Sequence, residues 1–386
     1  MSQPNLILEQ AKRLADVCQE RSEEIEAARR IPADLAAQIG EAGMFAMGAP
    51  AELGGLESEP SVYCQAIETL ATGDASAAWI SFIGATTLTS LALLSKDTAR
   101  EVYPEPGTLI TGVFAPTGTA EKVDGGFNIN GCWQWGSGSQ NASWVMGGCM
   151  LKENGEAMLS KHGQPLSYMA LMPPKQIEFL DTWHVSGLCG TGSLDYQVKD
   201  LFVPDEHMAG FQRKDRITPT PLYTFPNFTF LALGIGAVCL GIARSSITEL
   251  VNLASSKRRV GAKQTVSEQQ TSQIKLAQAE ADLQSARLFF YDTIAKAWAL
   301  AVDEQAVPMD LRRDMRLATT NAVLKSVSVT SDMYDLGGGS SVYKNSRLQR
   351  NFRDISVAKS HIMVAQQTLE IAGALYFGLE PNTSRL

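Results

Sequence analysis

The sequence predicts an α+β protein in which two helical regions flank a β-domain. Three observations carry this. Apolar residues recur at three- and four-residue intervals in the first hundred residues and again beyond about residue 227. Between them glycine becomes frequent, and short runs of β-branched and aromatic residues replace the helical spacing. The chain has 386 residues, more than the roughly 250–300 that one core serves, so two or three packed regions are expected. The changes of texture place them at 1–105, 106–215 and 216–386.

In the first region Leu6, Ile7, Ala11, Leu14, Ala15 and Cys18 share one helical face. Pro32 opens a second helix that Gly43 ends. Val62–Ala71 and Ser76–Leu94 follow, parted by Thr72-Gly73-Asp74. Strands are expected over Leu109–Phe114, Phe127–Trp135, Trp144–Leu151, Ser167–Met172 and Tyr196–Val203. Asp124-Gly125-Gly126 signals a hairpin, and Pro204 closes the segment. From 227 the helical units lengthen to 229–255, 265–301, 308–335 and 353–376, which suits a four-helix bundle.

Composition narrows the function classes. Hydrophobic residues make up 45% and charged residues 19%, the balance of a folded globular chain. A net charge of -8 argues against a nucleic-acid partner, which needs clustered, unopposed Lys and Arg. The one basic cluster, Lys257-Arg258-Arg259, is too short for such a surface but can hold a phosphate. Six cysteines without CxxC spacing indicate neither a zinc site nor a disulfide framework, so reduced thiols in the cytoplasm are expected. The N-terminal stretch is too charged for a signal peptide. The apolar run Phe230–Ala243 is too short to span a bilayer, so no membrane association is expected. No metal site is expected either: there are four histidines and no HExxH, and GxSxG, P-loop and nicotinamide fingerprints are missing. A bound cofactor is then the natural carrier of the chemistry.

Four segments sharpen the reading: Phe114–Ala120; Trp133–Trp144, containing Trp-Gly-Ser-Gly; Asp181–Ser193; and Gly337–Tyr343 running through Arg353-Asp354 to His361. In the second, Gly136, Ser137 and Gly138 let a planar ring approach the backbone, with Trp133 and Trp135 alongside. In this order, on a helix–β–helix layout, the segments resemble the acyl-CoA dehydrogenase superfamily over nearly the whole chain. The likeness is closest to its oxygen-using branch, the group D two-component flavin monooxygenases.

The resemblance implies an acyl-CoA dehydrogenase-like fold, with flavin between the β-domain and the bundle and a homotetramer completing the site. Ser137 takes the position that touches the N5 edge of the ring, where a hydroxyl can donate and accept. Phe114 falls on the flavin-side loop with a turn at Pro116–Gly118, and is equally a core residue. Trp135, Trp183 and Thr191 join the flavin contacts; His184 lies at the rim or is structural. Lys257, Arg258 and Arg259 lie where dehydrogenases keep a pyrophosphate arginine, although the Arg-to-Phe spacing of that motif is absent. Gly338 and Gly339 offer backbone N–H groups for an anion, or simply cap a helix. Trp79, Phe82 and Trp133 are candidates for an aromatic-lined substrate pocket.

Dehydrogenases of this fold carry a catalytic carboxylate shortly after the Arg-Asp pair. Here His361 stands near that point, on an expected amphipathic helix, and no acid does. Imidazole is the side chain that ordinarily titrates near neutral pH. His361 is therefore the candidate acid–base residue, and Ser137 its catalytic companion. The implied activity is oxygenation of a small aromatic substrate, indole- or phenol-like, through a C4a-hydroperoxyflavin formed from reduced FAD and O2. FMN is the alternative cofactor, and a separate NAD(P)H-dependent flavin reductase is the expected partner. Two other readings compete: an acyl-CoA dehydrogenase with an unrecognised base, and a non-catalytic scaffold that kept the fold.

Overall fold

The N-terminal helical spacing becomes six helices: α1 (Gln3–Glu20), α2 (Ser22–Ala28), α3 (Ala33–Glu41), α4 (Pro60–Ala71), α5 (Ala75–Leu88) and α6 (Lys96–Val102). A computed structural model describes residues 3–210, 217, 220–258, 261–384 and 386. Pro32 sits at the N-cap of α3, and α2 precedes it as an element the sequence did not announce. Helix α5 is the spine of this region. Asp74 caps it by accepting from Ala77 N at 2.9 Å. Nearly its whole circumference is buried, which explains why it carries no polar face.

The β-domain is one sheet. Its strands are β1 (Ile110–Val123), β2 (Gly126–Gly136), β3 (Trp144–Glu153), β4 (Glu156–Ala157), β5 (Ser167–Met172), β6 (Glu178–Leu180), β7 (Leu194–Pro204) and β8 (Met208–Ala209). Their order is β6-β7-β2-β1-β3-β5-β8, with β4 against β3. Only the β1–β3 pairing is parallel among the described strands. The expected hairpin forms: Val123 pairs Gly126 across the Asp124-Gly125 turn. The expected turn at Pro116–Gly118 does not. Strand β1 runs through it, and its register against β3 slips between Val113 and Gly118, so Phe114 rides a bulge.

The C-terminal region holds α7 (Pro221–Thr224), α8 (Asn227–Ala254), α9 (Gln270–Val302), α10 (Met309–Gly337), α11 (Arg347–Ala358) and α12 (Gln366–Tyr376). Helix α10 packs on α8, α9 and α11, and α11 also packs on α8, which closes the bundle. The continuous helix expected over 353–376 is broken. After α11 the backbone at His361 is extended, with φ -67° and ψ 133°, and a short 3-10 turn, Ile362–Val364, precedes α12. The imidazole itself caps that turn, which is why the break falls there.

By length and composition two apolar stretches, Ala75–Leu93 and Asn227–Ala254, are long enough to cross a membrane. Both are mostly buried inside the protein, as core helices are. The main core joins the two helical regions and reaches into the sheet through Leu109, Ile110, Met146 and Leu171. A second core within the sheet is built around Trp133, Tyr196 and Phe127.

Candidate active site

Helix α5, the end of β2 and the loop before β7 converge on a row of hydroxyls. Trp79 Nε1 donates to Ser137 Oγ at 3.1 Å. Ser137 Oγ lies 2.7 Å from Ser193 Oγ, which lies 2.7 Å from Thr191 Oγ1. Thr191 Oγ1 in turn donates to the Leu188 carbonyl at 2.8 Å. Trp79, Ser137, Thr191 and Ser193 are all buried. Gly138, with φ +74°, makes the turn just after Ser137 in a conformation that L side chains rarely adopt.

The other face of Trp79 meets the C-terminal region. The His361 ring centroid lies 6.0 Å from that of Trp79, and Phe82 packs edge-on beneath the indole at 4.8 Å. Trp79, Ser137, Thr191 and His361, distant in sequence, thus form one cluster. Phe82 is fully buried, so it supports the indole rather than facing an open space.

His361 is held from two sides. Its Nδ1 accepts from Met363 N at 3.2 Å, so in the neutral ring the proton sits on Nε2. Arg316, buried on α10, donates to the Met363 carbonyl at 2.6 Å and fixes the same turn. Burial, and then the nearby Arg316 charge, push the imidazole pKa down to about 4. The expectation that His361 titrates near neutral pH is therefore corrected. At pH 7 it is a neutral ring offering an Nε2–H donor, not a proton reservoir.

The loop carrying Thr191 is anchored from behind. Leu188 N donates to the Asp354 carboxylate at 2.6 Å, and Gly187 lies so close to α11 that a Cβ there would stand 2.3 Å from the Arg353 carbonyl. Burial of Asp354 outweighs that hydrogen bond and raises its pKa to about 7. Trp183 Nε1 also donates to the Leu188 carbonyl, at 3.2 Å. His184 lies outside, in an exposed group where Arg29 pairs with Asp181 at 2.8 Å.

Trp135 is 68% exposed and holds a left-handed φ of 66° beside Ser137. A bulky residue in that region is strained, and such strain concentrates at ligand sites. Phe114 is partly buried against the main core. The expectation for Trp133 is overturned. It is fully buried in the sheet's own core, stacked on Tyr196 at 5.3 Å, with Nε1 donating to Gly148 O at 2.8 Å. Strict alternation would leave Trp133 and Ser137 on one face; the register slip against β7 between Trp133 and Gly136 and the left-handed Trp135 break it, and Ser137, just past the strand, turns to the cluster instead.

The anion elements also meet. Lys257 Nζ donates to the Gly337 carbonyl and, at 2.7 Å, to Ser340 Oγ. Gly338 takes φ +51°, where a Cβ would stand 3.9 Å from that ammonium, and a Cβ at Gly339 would meet nothing. Arg258 is exposed; Arg259 lies outside the described residues. Two clefts of about 270 Å³ lie elsewhere, one between α1 and α3 and one lined by Leu93, Tyr223 and Phe225. Neither touches Ser137 or His361.

The Ser137 end fits a flavin edge, with a buried hydroxyl at a glycine-flanked strand end and a strained exposed indole beside it; the Lys257 ammonium at a glycine turn is a separate element suited to a phosphate. Sequence reasoning passed over two supporting residues, Arg316 and the anchoring role of Asp354. A lone arginine on the apolar face of α10, between Met315 and Ala318, was the available signal for the first.

Comparison with known proteins agrees. Residues 4–103 match the acyl-CoA dehydrogenase N-terminal domain and residues 233–366 its C-terminal domain. The chain is 32% identical to an indole-3-acetate monooxygenase of Pseudomonas putida over 93% of this chain and 90% of that one. It is 28% identical to the flavin-dependent monooxygenase oxygenase subunit HsaA of Rhodococcus jostii, over 90% and 92%. The crystal structure of a 3-HSA hydroxylase from Rhodococcus sp. RHA1 superposes with a TM-score of 0.89 at 26% identity, covering 99% of each chain. The chain belongs to the acyl-CoA dehydrogenase superfamily and, within it, to the flavin-dependent monooxygenases.

Proposed function

We propose that this protein is the oxygenase component of a two-component system that inserts oxygen into a small aromatic substrate, indole- or phenol-like. Reduced FAD comes from a separate NAD(P)H-dependent reductase, with FMN the alternative to be tested. The observation that carries the reading is the joining of Ser137 and His361 through one buried indole, Trp79. Bound there, reduced flavin supplies the two electrons and activates O2. The protein's residues do the rest. Ser137 would hold the N5 edge, Trp135, Trp183 and Phe114 would contact the ring, and Lys257 with Gly338 and Gly339 would receive phosphate. His361 faces substrate and offers Nε2–H to a polar atom on it, orienting the ring and stabilising charge that develops there. Burial of the cluster excludes water from the reacting atoms.

Ile274, Leu288 and Val302 on α9 and Leu324 on α10 expose apolar side chains, which supports assembly as a homotetramer through the bundle. The six cysteines are free thiols, which supports a cytoplasmic setting.

The test supplies chemically reduced FAD or FMN, O2 and a panel of indoles and phenols, with no nicotinamide present. Oxygenated product carrying label from 18O2 is expected. Absence of product, with acyl-CoA bleaching bound oxidised flavin instead, would make the protein a dehydrogenase.

A further inference from the structure

The hydroxyl row has a direction. An indole N–H can only donate, and a carbonyl can only accept. Trp79 supplies the first kind of end and Leu188 the second. Between them stand three hydroxyls with one hydrogen each. Thr191 must spend its hydrogen on the Leu188 carbonyl, because otherwise two oxygens would face one another at 2.8 Å with no proton between them. That carbonyl also receives Trp183 Nε1 and Thr191 N, so it is an acceptor terminus without ambiguity. The 2.7 Å contact between Thr191 and Ser193 then uses the Ser193 hydrogen, and the 2.7 Å contact between Ser193 and Ser137 uses that of Ser137. With Trp79 exposed only 6%, Ser137 7%, and Thr191 and Ser193 2% each, water cannot readily satisfy a reversed order. Ser137 is left with no unused hydrogen and one unused lone pair.

We propose that Thr191 and Ser193 fix the polarity of this row and so make Ser137 an acceptor-only contact for the flavin edge. The proposal rests on the reading that Ser137 meets the N5 edge. Reduced flavin carries hydrogen on N5 and can donate to that lone pair. Oxidised flavin has only a lone pair at N5 and meets another lone pair. Thr191 and Ser193 are positioning residues in this scheme: they act through Ser137. One neutral hydrogen bond made or left unmade corresponds to a preference of roughly tenfold. For a two-electron couple, tenfold is about 30 mV in the potential of the bound flavin, raised by tighter binding of the reduced form.

Thr191→Val removes the hydroxyl that feeds Leu188 while keeping the side chain's shape. The Ser193 hydrogen is then free to turn to Ser137, fill its second lone pair and release the Ser137 hydrogen as a donor. Dissociation constants for reduced and oxidised flavin, measured anaerobically by equilibrium dialysis, should lose about tenfold in their ratio. The midpoint potential of bound flavin should fall by about 30 mV. Thr191→Ser keeps the hydroxyl and should restore both values. Ser193→Ala cuts the row without touching the Leu188 turn and should move the ratio in the same direction, so a poorly folding Thr191 variant leaves the test intact. Ser137→Ala separates the two levels of the argument. If it reduces the preference while Thr191→Val and Ser193→Ala keep the wild-type ratio and potential, the polarity is not what selects. If Ser137→Ala leaves the affinity for both redox states unchanged, the flavin edge does not lie at Ser137 and the site reading fails with it.

Discussion

Asp354 is buried and His361 half-buried, and the linkages of these two titratable groups to pH run in opposite directions. The folded pKa of His361 is pushed down to about 4, from 6.5. Below pH 6.5 the unfolded chain takes up a proton that the fold refuses, so stability is lost as pH falls from 6.5 toward 4. Asp354 is raised from 3.8 to about 7. The fold holds that proton where the unfolded chain has released it, so stability rises as pH falls from 7 toward 4. At about 1.4 kcal/mol per pKa unit, each effect is on the order of 3–5 kcal/mol. In the wild type they largely offset each other. Urea unfolding between pH 7 and 5 should therefore show His361→Asn gaining stability on acidification and Asp354→Asn losing it. Parallel curves for the two variants would mean that at least one group is not buried as described. Oxygenation in the wild type should show no inflection from His361 between pH 5 and 8, because the ring stays neutral there.

At the scale of elements, the site depends on how the loop between β6 and β7 seats on α11. Gly187 permits the contact and the Leu188–Asp354 hydrogen bond locks it. Gly187→Ala forces a Cβ against the Arg353 carbonyl and should cost about 1–3 kcal/mol, as overpacking does. Because Thr191 and Ser193 travel with the loop, flavin affinity should fall about tenfold or more in the same variant. Normal affinity in a destabilised Gly187→Ala protein would show that the hydroxyl row does not depend on this seat. The turn after α11 makes a parallel case. An amphipathic pattern continues through 353–376 and reads as one helix, yet the His361 side chain and Arg316 stabilise a break that places the ring beside Trp79. Periodicity reports which face is apolar, but not where a long-range hydrogen bond interrupts the helix.

For the whole molecule, the exposed apolar side chains of α9 call for a partner surface. Leu288 is 70% exposed and Phe289 36%, on a helix whose other face is core. Leu288→Arg should dissociate the proposed homotetramer into smaller species, measurable by light scattering after size exclusion, with the helical content of the subunit retained. An unchanged mass would move the interface off α9. If subunits share the flavin, as the resemblance implies, dissociation should also weaken flavin binding without altering the Ser137 row.

The helix–sheet–helix order, the principal strands and the long bundle helices were legible in the sequence, because apolar periodicity and glycine content are local properties. The site segments were legible too, as composition: glycines around Ser137, a histidine where a carboxylate would stand, lysine and a glycine turn for an anion. What the sequence left open was which side chains meet. Trp133 and Ser137 are only four residues apart, and it is the register slip and left-handed Trp135 at the end of β2 that let one fill a sealed core while the other joins Trp79. The protonation of His361 is likewise not a property of histidine. Burial and the Arg316 charge set it, and both arise only when α10 and the final turn pack together.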